Sequence, residues 1–282
     1  MGLDVMNGTG GSKVKTPGES SGDRLLSVLG LFTVEQPQWT VDDAAKQLGV
    51  SGPTAYRYFK RLTGAGLITP VSGASYTLGP AIIQMDRQIQ VSDPVLRAAR
   101  GVMHALIPRA GDGSALLLCR LFHDRVMCVH QVLGRGPQAP VSYERGRLMP
   151  LFRGATSKII LAHLPARTLK SLFEQNAAEI AQDGLGESLE EFRSSLAVIR
   201  RTGVAVTHGE IDPGRVGVGA PLFDRDRNIL GSFSFALSSA RADDALIARL
   251  TPPLIAGARE IERLMNEQPA SQPSSARLRV SR

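Results

Sequence analysis

The chain has 282 residues, about twice the roughly 150 residues of a typical domain, so two domains are expected. Hydrophobic residues make up 43% and charged residues 21%, the usage of an ordinary globular protein, which excludes wholesale disorder. The 33 Lys and Arg residues outnumber the 26 Asp and Glu residues, which favours anionic partners. Two cysteines and no long apolar stretch predict a cytoplasmic protein without a disulfide framework and without membrane contact.

Both ends of the chain have the composition of unfolded segments. Residues 1–22 are rich in Gly and Ser with few apolar side chains, and residues 269–282 combine prolines and serines with arginines but no acid. Segments with so little surface to bury cannot offset the entropy that they lose on ordering. We therefore predict a disordered arm at 1–22 and a disordered basic tail at 269–282.

The front module, residues 23–85, has the pattern of a winged helix-turn-helix. A first helix follows Asp23, its predicted N-cap, and a second helix runs over 40–49, where a glycine ends it. A third helix over 52–62 has proline in its first turn, the position at which the missing N–H costs least. Two short strands joined by a Ser-Gly turn at 72–73 then predict a wing.

The charges on the third helix indicate DNA binding. Residues 51–85 contain basic residues and not one acid. Ala55, Phe59 and Leu62 recur at helical spacing and should face the core, which leaves the polar side chains on the outer face. The alternative is a solvated amphipathic helix in a generic three-helix domain. The predicted DNA-binding residues are Ser51, Thr54, Tyr56, Arg57, Lys60 and Arg61.

A helical linker is predicted over residues 86–111. Apolar residues recur from 84 to 108 and are interrupted at Asp93-Pro94, where Asp93 can cap a helix that has Pro94 in its first position. One long helix or two in succession fit this pattern. Such a helix is a natural place for two subunits to pair, and packing against its own domain is the alternative.

The back module, residues 112–268, has the pattern of a mixed α/β domain. Two apolar runs joined by a His-Asp-Arg turn predict a β-hairpin over 114–133. Further helices are predicted at 157–164, 167–175, 189–202 and 243–267, and further strands at 204–207, 215–223 and 229–237. This order predicts a GAF-like or profilin-like fold, in which helices cover the faces of an antiparallel sheet.

The motifs of the two modules resemble those of IclR-type transcriptional regulators. The winged module is followed by Gly146-Arg-Leu-Met-Pro-Leu, Ala155-Thr-Ser-Lys158, Arg201-Thr-Gly203, Glu210, Gly214 and Val218-Gly-Ala-Pro221, in the family's order and over about residues 23–268. The resemblance implies an α/β (α+β) protein with an N-terminal winged helix-turn-helix and a C-terminal GAF-like effector-binding domain. It also implies a dimeric or tetrameric repressor or activator whose second domain binds a small organic acid.

The helix that begins near Gly154 is the predicted site for that acid. Free N–H groups at a helix start attract a carboxylate, and the small side chains at 154–156 leave those groups accessible. Gly217 is expected to enlarge the cavity, which favours an aromatic or medium-sized acid. Ordinary packing is the alternative at each position. Matching to the family places the effector contacts at Ala155, Thr156, Thr207, Gly217, Ser234 and Ala236.

Enzymatic and metal-binding functions are the alternatives. Ser157 and Lys158 are adjacent on a helix and point about 100° apart, so they do not form the Ser-x-x-Lys arrangement of a hydrolase. The candidate metal ligands form no dense motif, and we expect no catalytic residue, no metal and no cofactor. Those candidate ligands are Cys119, Cys128, His130, His208 and Glu210.

These observations predict a ligand-responsive regulator of a catabolic operon. Its expected partners are double-stranded DNA with a pseudo-palindromic operator, a small organic acid, further copies of the chain in a homodimer or homotetramer, and RNA polymerase. The alternative function is a hydrolase-like enzyme or a metal-binding sensor built on the second domain.

Overall fold

The computed structural model describes residues 20–136 and 142–267, and it divides the chain into two compact units, 1–90 and 91–282. Residues 1–19 of the predicted arm and the whole predicted tail lie outside the described residues. Of the predicted linker, 86–111, the part from residue 91 onward lies in the second unit. Over the described ranges, no helix is long and apolar enough to cross a membrane.

The first unit contains a three-stranded antiparallel sheet in the order β1-β3-β2, together with its helices. Their bounds are α1 Ser21–Ser27, β1 Trp39–Thr40, α2 Val41–Leu48, α3 Gly52–Gly64, β2 Ile68–Pro70 and β3 Ser75–Leu78. A fourth helix, α4, spans Pro80–Ser92. The wing consists of β2, β3 and the turn between them, and its two strands fall where they were predicted.

The start of α1 corrects two expectations. Ser20 is the N-cap, because its hydroxyl accepts from the Asp23 N–H at 3.2 Å while the Asp23 carboxylate accepts from the Ser20 N–H at 2.9 Å. Asp23 is therefore the third helical residue of a capping box and not the cap itself. Residues 20–22 accordingly belong to this helix start and not to the predicted arm.

The helix-turn-helix itself has the predicted elements. Thr40 caps α2 by accepting from the Asp43 N–H, and Gly49 ends the helix with a φ of +66°, a conformation that glycine adopts without strain. Strand β1 was not predicted, because two residues are too short to show a periodicity. It is held in place partly by Trp39, whose indole N–H donates to the Leu31 carbonyl at 2.8 Å.

The second unit is built on a six-stranded antiparallel sheet in the order β6-β5-β4-β9-β8-β7. Its strands are β4 Ala115–Phe122, β5 Arg125–Leu133, β6 Leu148–Met149, β7 Ala205–His208, β8 Arg215–Phe223 and β9 Ile229–Ser238. Its helices are α5 Pro94–Leu106, α6 Ala155–Ala162, α7 Ala166–Gln182, α8 Leu189–Thr202 and α9 Asp244–Glu267. The two-residue strand β6 was not predicted.

Helices cover both faces of this sheet, so the unit has two hydrophobic cores. On β4, Leu116 and Leu118 face the core that contains α5 and α9, while Leu117 and Cys119 face the core that contains α6 and α8. A strand that is covered on both faces has no polar alternation, which explains the continuous apolar run of β4. Helix α5, which the Asp93 carboxylate caps, is thus an integral part of the second unit.

Candidate functional site

Helix α3 presents a basic face to solvent. Its buried side chains are Ala55, Phe59 and Leu62, which the helical spacing predicts, and also Tyr58, which it does not. Ser51 occupies the N-cap position, but its hydroxyl pairs with the half-buried Thr54 hydroxyl at 2.9 Å instead of capping the backbone. The other predicted DNA-binding side chains are exposed: Tyr56, Arg57, Lys60 and Arg61.

The charges on this face are uncompensated. Among the described residues, no acid forms an ion pair with Arg57, Lys60 or Arg61. Tyr56, which is 59% exposed, also forms one wall of a groove of about 260 Å³ against Pro70 and Tyr76 of the wing. The face therefore combines positive charge with an exposed aromatic ring, two features suited to nucleic acid.

A second cavity lies in the second unit at the N-terminus of α6. Its volume of about 30 Å³ is enough for one water molecule. Five of the six predicted ligand residues line it, namely Ala155, Thr156, Thr207, Gly217 and Ala236. Ser234 does not: it is fully buried nearby on β9, and its hydroxyl has no hydrogen-bond partner in the described part of the chain.

The N–H groups that were expected to be free at the start of α6 are largely occupied by the chain itself. The Gly154 N–H donates to Glu210 Oε2 at 2.8 Å, and the Ala155 N–H donates to Thr207 Oγ1 at 3.0 Å. Within the described ranges, no hydrogen bond engages the Thr156 N–H. The predicted open anion site is therefore already filled at two of its three positions.

Gly217 does not enlarge the cavity as was expected. A Cβ atom at Gly217 would lie 3.1 Å from both Ala155 Cβ and Thr207 Oγ1, and one at Gly219 would lie 2.9 Å from the Ala155 carbonyl oxygen. The two glycines therefore let α6 approach the sheet closely, and the volume that a side chain would fill is occupied by α6 and β7.

The Ser157 and Lys158 side chains point to different partners, which counts against the hydrolase alternative. The Ser157 hydroxyl donates to the Pro150 carbonyl at 2.7 Å. Lys158 Nζ lies 2.7 Å from Glu210 Oε1, and the lysine is only 9% exposed. Because the two side chains point to different partners, Lys158 is not placed to activate the Ser157 hydroxyl as a nucleophile.

The candidate metal ligands do not form a cluster of three in the part of the chain that the structure describes. Cys119 and Cys128 are directly opposite each other on β4 and β5, and both are free and fully buried. Burial raises the pKa of Cys119, so its thiol is the protonated, unreactive form. Over residues 20–136 and 142–267, no three His, Cys, Asp or Glu side chains are grouped to hold a metal ion.

Several cavity residues were not among the predicted ligand contacts. Tyr143 lies in a loop, so no helical or strand periodicity could have indicated it. Arg215 is the first residue of β8, and a charged residue at the start of an apolar strand could have indicated a functional role. Arg215 is buried and donates to the Gly113 carbonyl. The loop between β7 and β8 supplies the remaining polar wall, with Gly209, Glu210, Ile211 and Asp212.

Family models match both units of the chain. The model described as "Bacterial transcriptional regulator IclR C-terminal" matches residues 88–263, and the "IclR helix-turn-helix domain" model matches residues 21–72. The chain belongs to the IclR family. This IclR-family protein accordingly has an N-terminal DNA-binding domain and a C-terminal effector domain, and the family consists of transcriptional regulators and not of enzymes.

Named relatives span almost the same length. The chain is 26% identical to the HTH-type transcriptional regulator XynR of Escherichia coli, with 82% of this chain and 91% of XynR covered. It is 21% identical to KipR of Bacillus subtilis, with 84% and 94% covered. The assignment as a DNA-binding transcriptional regulator is therefore confirmed, and so is the mixed α/β fold class.

Solved IclR structures have the same fold as this IclR-family chain. The regulator from Alicyclobacillus acidocaldarius superposes with a TM-score of 0.73 at 22% identity, covering 87% of this chain and 98% of that one. An IclR homologue from Microbacterium hydrocarbonoxydans, complexed with 4-hydroxybenzoate, superposes with a TM-score of 0.73 at 17% identity, covering 88% and 100%.

Proposed function

We propose that this protein is a cytoplasmic, ligand-responsive regulator that binds a pseudo-palindromic operator through α3 and the wing. The observation that carries this proposal is the exposed basic face of α3, on which Arg57, Lys60 and Arg61 have no acidic partner in the described part of the chain. Unpaired arginines can donate two hydrogen bonds to a guanine edge, and unpaired lysines can neutralise phosphates. Ser51, Thr54 and Tyr56 flank these cations and complete the proposed DNA contacts.

The test of the DNA-binding proposal is a two-step measurement on the full chain. Genomic fragments that the protein retains are first sequenced to find a shared operator. Binding to that operator and to a random duplex is then measured over a series of salt concentrations. Affinity for both duplexes should fall steeply with salt, because each phosphate contact releases counterions, while the operator should stay preferred. Equal affinity for both duplexes at every salt concentration would refute specific recognition.

We also propose that the cavity at the start of α6 takes a small organic acid. The cavity is lined by helix N-terminal backbone, by the Thr207 hydroxyl and by the buried cation Arg215, which favour an anion. Its two carboxylates are engaged by other groups, Glu210 by Lys158 and Asp212 by Ser142. The relative that contains 4-hydroxybenzoate supports an aromatic acid. Because the cavity holds only about one water, we infer that its walls move outward when such an acid binds.

A thermal-shift screen tests the effector proposal. Aliphatic and aromatic acids should raise the melting temperature of the full chain, since a ligand that binds only the folded state stabilises it. Ala236→Leu fills the cavity from β9 and should abolish the shift. Ala105→Leu, an equal enlargement on the exposed face of α5, should preserve it. If Ala236→Leu responds like wild type, the acid binds elsewhere.

Pairing of subunits is proposed through α4. This helix has no buried side chain, and four of its large apolar residues are exposed, namely Ile83, Met85, Ile89 and Val91. Water-exposed apolar side chains grouped on one helix are typical of a surface that another subunit covers. A homodimer presents two recognition helices to the two halves of a palindrome, and a pair of dimers forms a homotetramer. Where the protein activates transcription, RNA polymerase is the further partner.

A further inference from the structure

The hydroxyl group of Tyr143 is an unused hydrogen-bond donor inside the α6 cavity. Tyr143 is 6% exposed and lines the cavity, with the Ser157 and Thr156 hydroxyls beside it, yet its Oη makes no hydrogen bond of good geometry in the described part of the chain. A buried hydroxyl without a partner is costly, and native structures retain such groups when a water or a ligand satisfies them. The position of Tyr143 therefore points to a missing acceptor in this cavity.

The helix start beside this hydroxyl is shaped to admit it. A Cβ atom at Gly154 would lie only 2.5 Å from Tyr143 Oη and 2.9 Å from Ile211 Cγ1, and Gly154 has a φ of +81°. Only glycine meets both requirements, so Gly154 brings the phenol up against the first turn of α6. The hydroxyl and the helix N-terminus thus face the same small volume.

Two donors remain unused in that volume. Glu210 and Thr207 accept from the Gly154 and Ala155 N–H groups, whereas among the described residues nothing accepts from the Thr156 N–H. Burial raises the pKa of Tyr143 above its ordinary value, so the phenol keeps its proton and acts as a donor at neutral pH. A phenol O–H and a helix N–H together match the two oxygens of a carboxylate.

We propose that the Tyr143 hydroxyl binds the carboxylate of the acid effector, beside the Thr156 N–H at the contact position that the family resemblance already implies. This inference rests on the proposed effector function and adds to it the residue that selects an acid. Tyr143 therefore contributes to recognition without being needed for the fold.

The test compares full-length wild type with Tyr143→Phe, which removes only the hydroxyl oxygen. Binding of 4-hydroxybenzoate, benzoate and propionate is measured by titration calorimetry, and benzamide serves as the neutral counterpart of benzoate. The control is Ser232→Ala, which removes another buried hydroxyl that lacks a partner but does not line the cavity. Melting temperatures of all three proteins are measured without ligand.

Two results are expected together for Tyr143→Phe. Tyr143→Phe should lower the affinity for whichever acid binds wild type by about ten- to hundredfold, because a hydrogen bond to a carboxylate is lost. Its melting temperature without ligand should be unchanged or higher, because no partner in the chain is deprived. Ser232→Ala should bind the acid like wild type. Benzamide should bind none of the three proteins measurably.

The measurements distinguish a failure of the Tyr143 role from a failure of the effector function. If an acid binds wild type and Tyr143→Phe equally well, the effector function stands and the role of Tyr143 is refuted, since the hydroxyl then holds only a water. A clear drop in the melting temperature of ligand-free Tyr143→Phe would also refute it, because the hydroxyl would then have a structural partner. If none of these acids binds wild type, the effector proposal fails for them and this inference fails with it.

Discussion

Lys158 Nζ lies 2.7 Å from Glu210 Oε1, and this ion pair ties the first turn of α6 to the loop between β7 and β8. The other carboxylate oxygen of Glu210 accepts from the Gly154 N–H, and the Glu210 carbonyl accepts from Arg153 at 2.6 Å. The loop that forms one wall of the cavity is therefore fastened to the helix at which we place the effector.

Glu210→Gln should destabilise the second unit. The substitution leaves the Lys158 ammonium, which is nearly buried, without its anionic partner. Because Glu210 is partly exposed, we expect the free energy of unfolding to fall by about 2 kcal/mol, less than the roughly 3–5 kcal/mol lost when a fully buried pair is broken. Calorimetric melting of the full chain measures it. Glu260→Gln, which removes an exposed pair with Arg263, should leave the transition unchanged.

Arg57→Ala should reduce operator affinity specifically. If Arg57 reads a guanine edge, its loss costs about 1–3 kcal/mol on the operator and much less on random duplex. Lys60→Ala should instead weaken binding to both duplexes alike and make the salt dependence less steep. Fluorescence anisotropy at fixed salt separates the two effects. The control is Lys46→Ala on α2, and a wild-type operator affinity for Arg57→Ala would contradict the assignment.

Gly217→Val should lower stability because it forces α6 away from the sheet. The new side chain meets Ala155 Cβ and Thr207 Oγ1 at 3.1 Å or closer, and we expect a cost of about 1–3 kcal/mol from overpacking. Gly101→Ala on α5 is the matched glycine control, since its added Cβ would meet nothing within 4 Å. That variant should gain about 0.5–1 kcal/mol. Thermal melts of both variants against wild type test the contrast.

The second unit should lose stability as the pH falls below about 6.5. Burial lowers the pKa of both His130 and His163, so the folded chain binds fewer protons than the unfolded chain at these rings. Their contribution to stability is complete above the unfolded pKa and is lost as the pH falls through the folded one. Melting temperatures between pH 8 and pH 5 measure this slope.

The matching variants identify the groups responsible for that slope. A protein carrying both His130→Gln and His163→Gln should show a flatter pH dependence than wild type. His208→Gln changes an exposed histidine and should keep the wild-type slope. An unchanged slope in the double variant would assign the pH dependence to other groups.

Met85→Glu combined with Ile89→Glu should separate the subunits. These residues are four positions apart and lie on one exposed face of α4, so two carboxylates there oppose their counterparts across a two-fold interface, and the apolar burial that would hold the interface together is lost. Sedimentation velocity at micromolar concentration should show a monomer, where wild type shows a dimer or tetramer. Arg87→Glu on the same helix is a control for added negative charge.

Short-range patterns were enough to predict the order of the elements. The bounds of α2 follow from Thr40 and Gly49, and the inward side chains of α3 follow from helical spacing, because capping and amphipathic faces depend on residues a few positions apart. Family motifs then indicated five of the residues that line the α6 cavity. Errors were confined to ends and very short strands, such as the start of α1 and the two-residue strands β1 and β6.

The chemistry of the cavity was decided by tertiary structure. Glu210 is 56 residues from Gly154 in the sequence and Thr207 is 52 residues from Ala155, and no local pattern shows that their side chains would occupy the helix N–H groups. Gly217 has the opposite effect from the expected one, since its missing side chain makes room for α6. Sequence by itself determined helices, strands and an exposed basic face, whose causes are local. Which donors stay free in the cavity depends on side chains that only the packing of distant segments brings together.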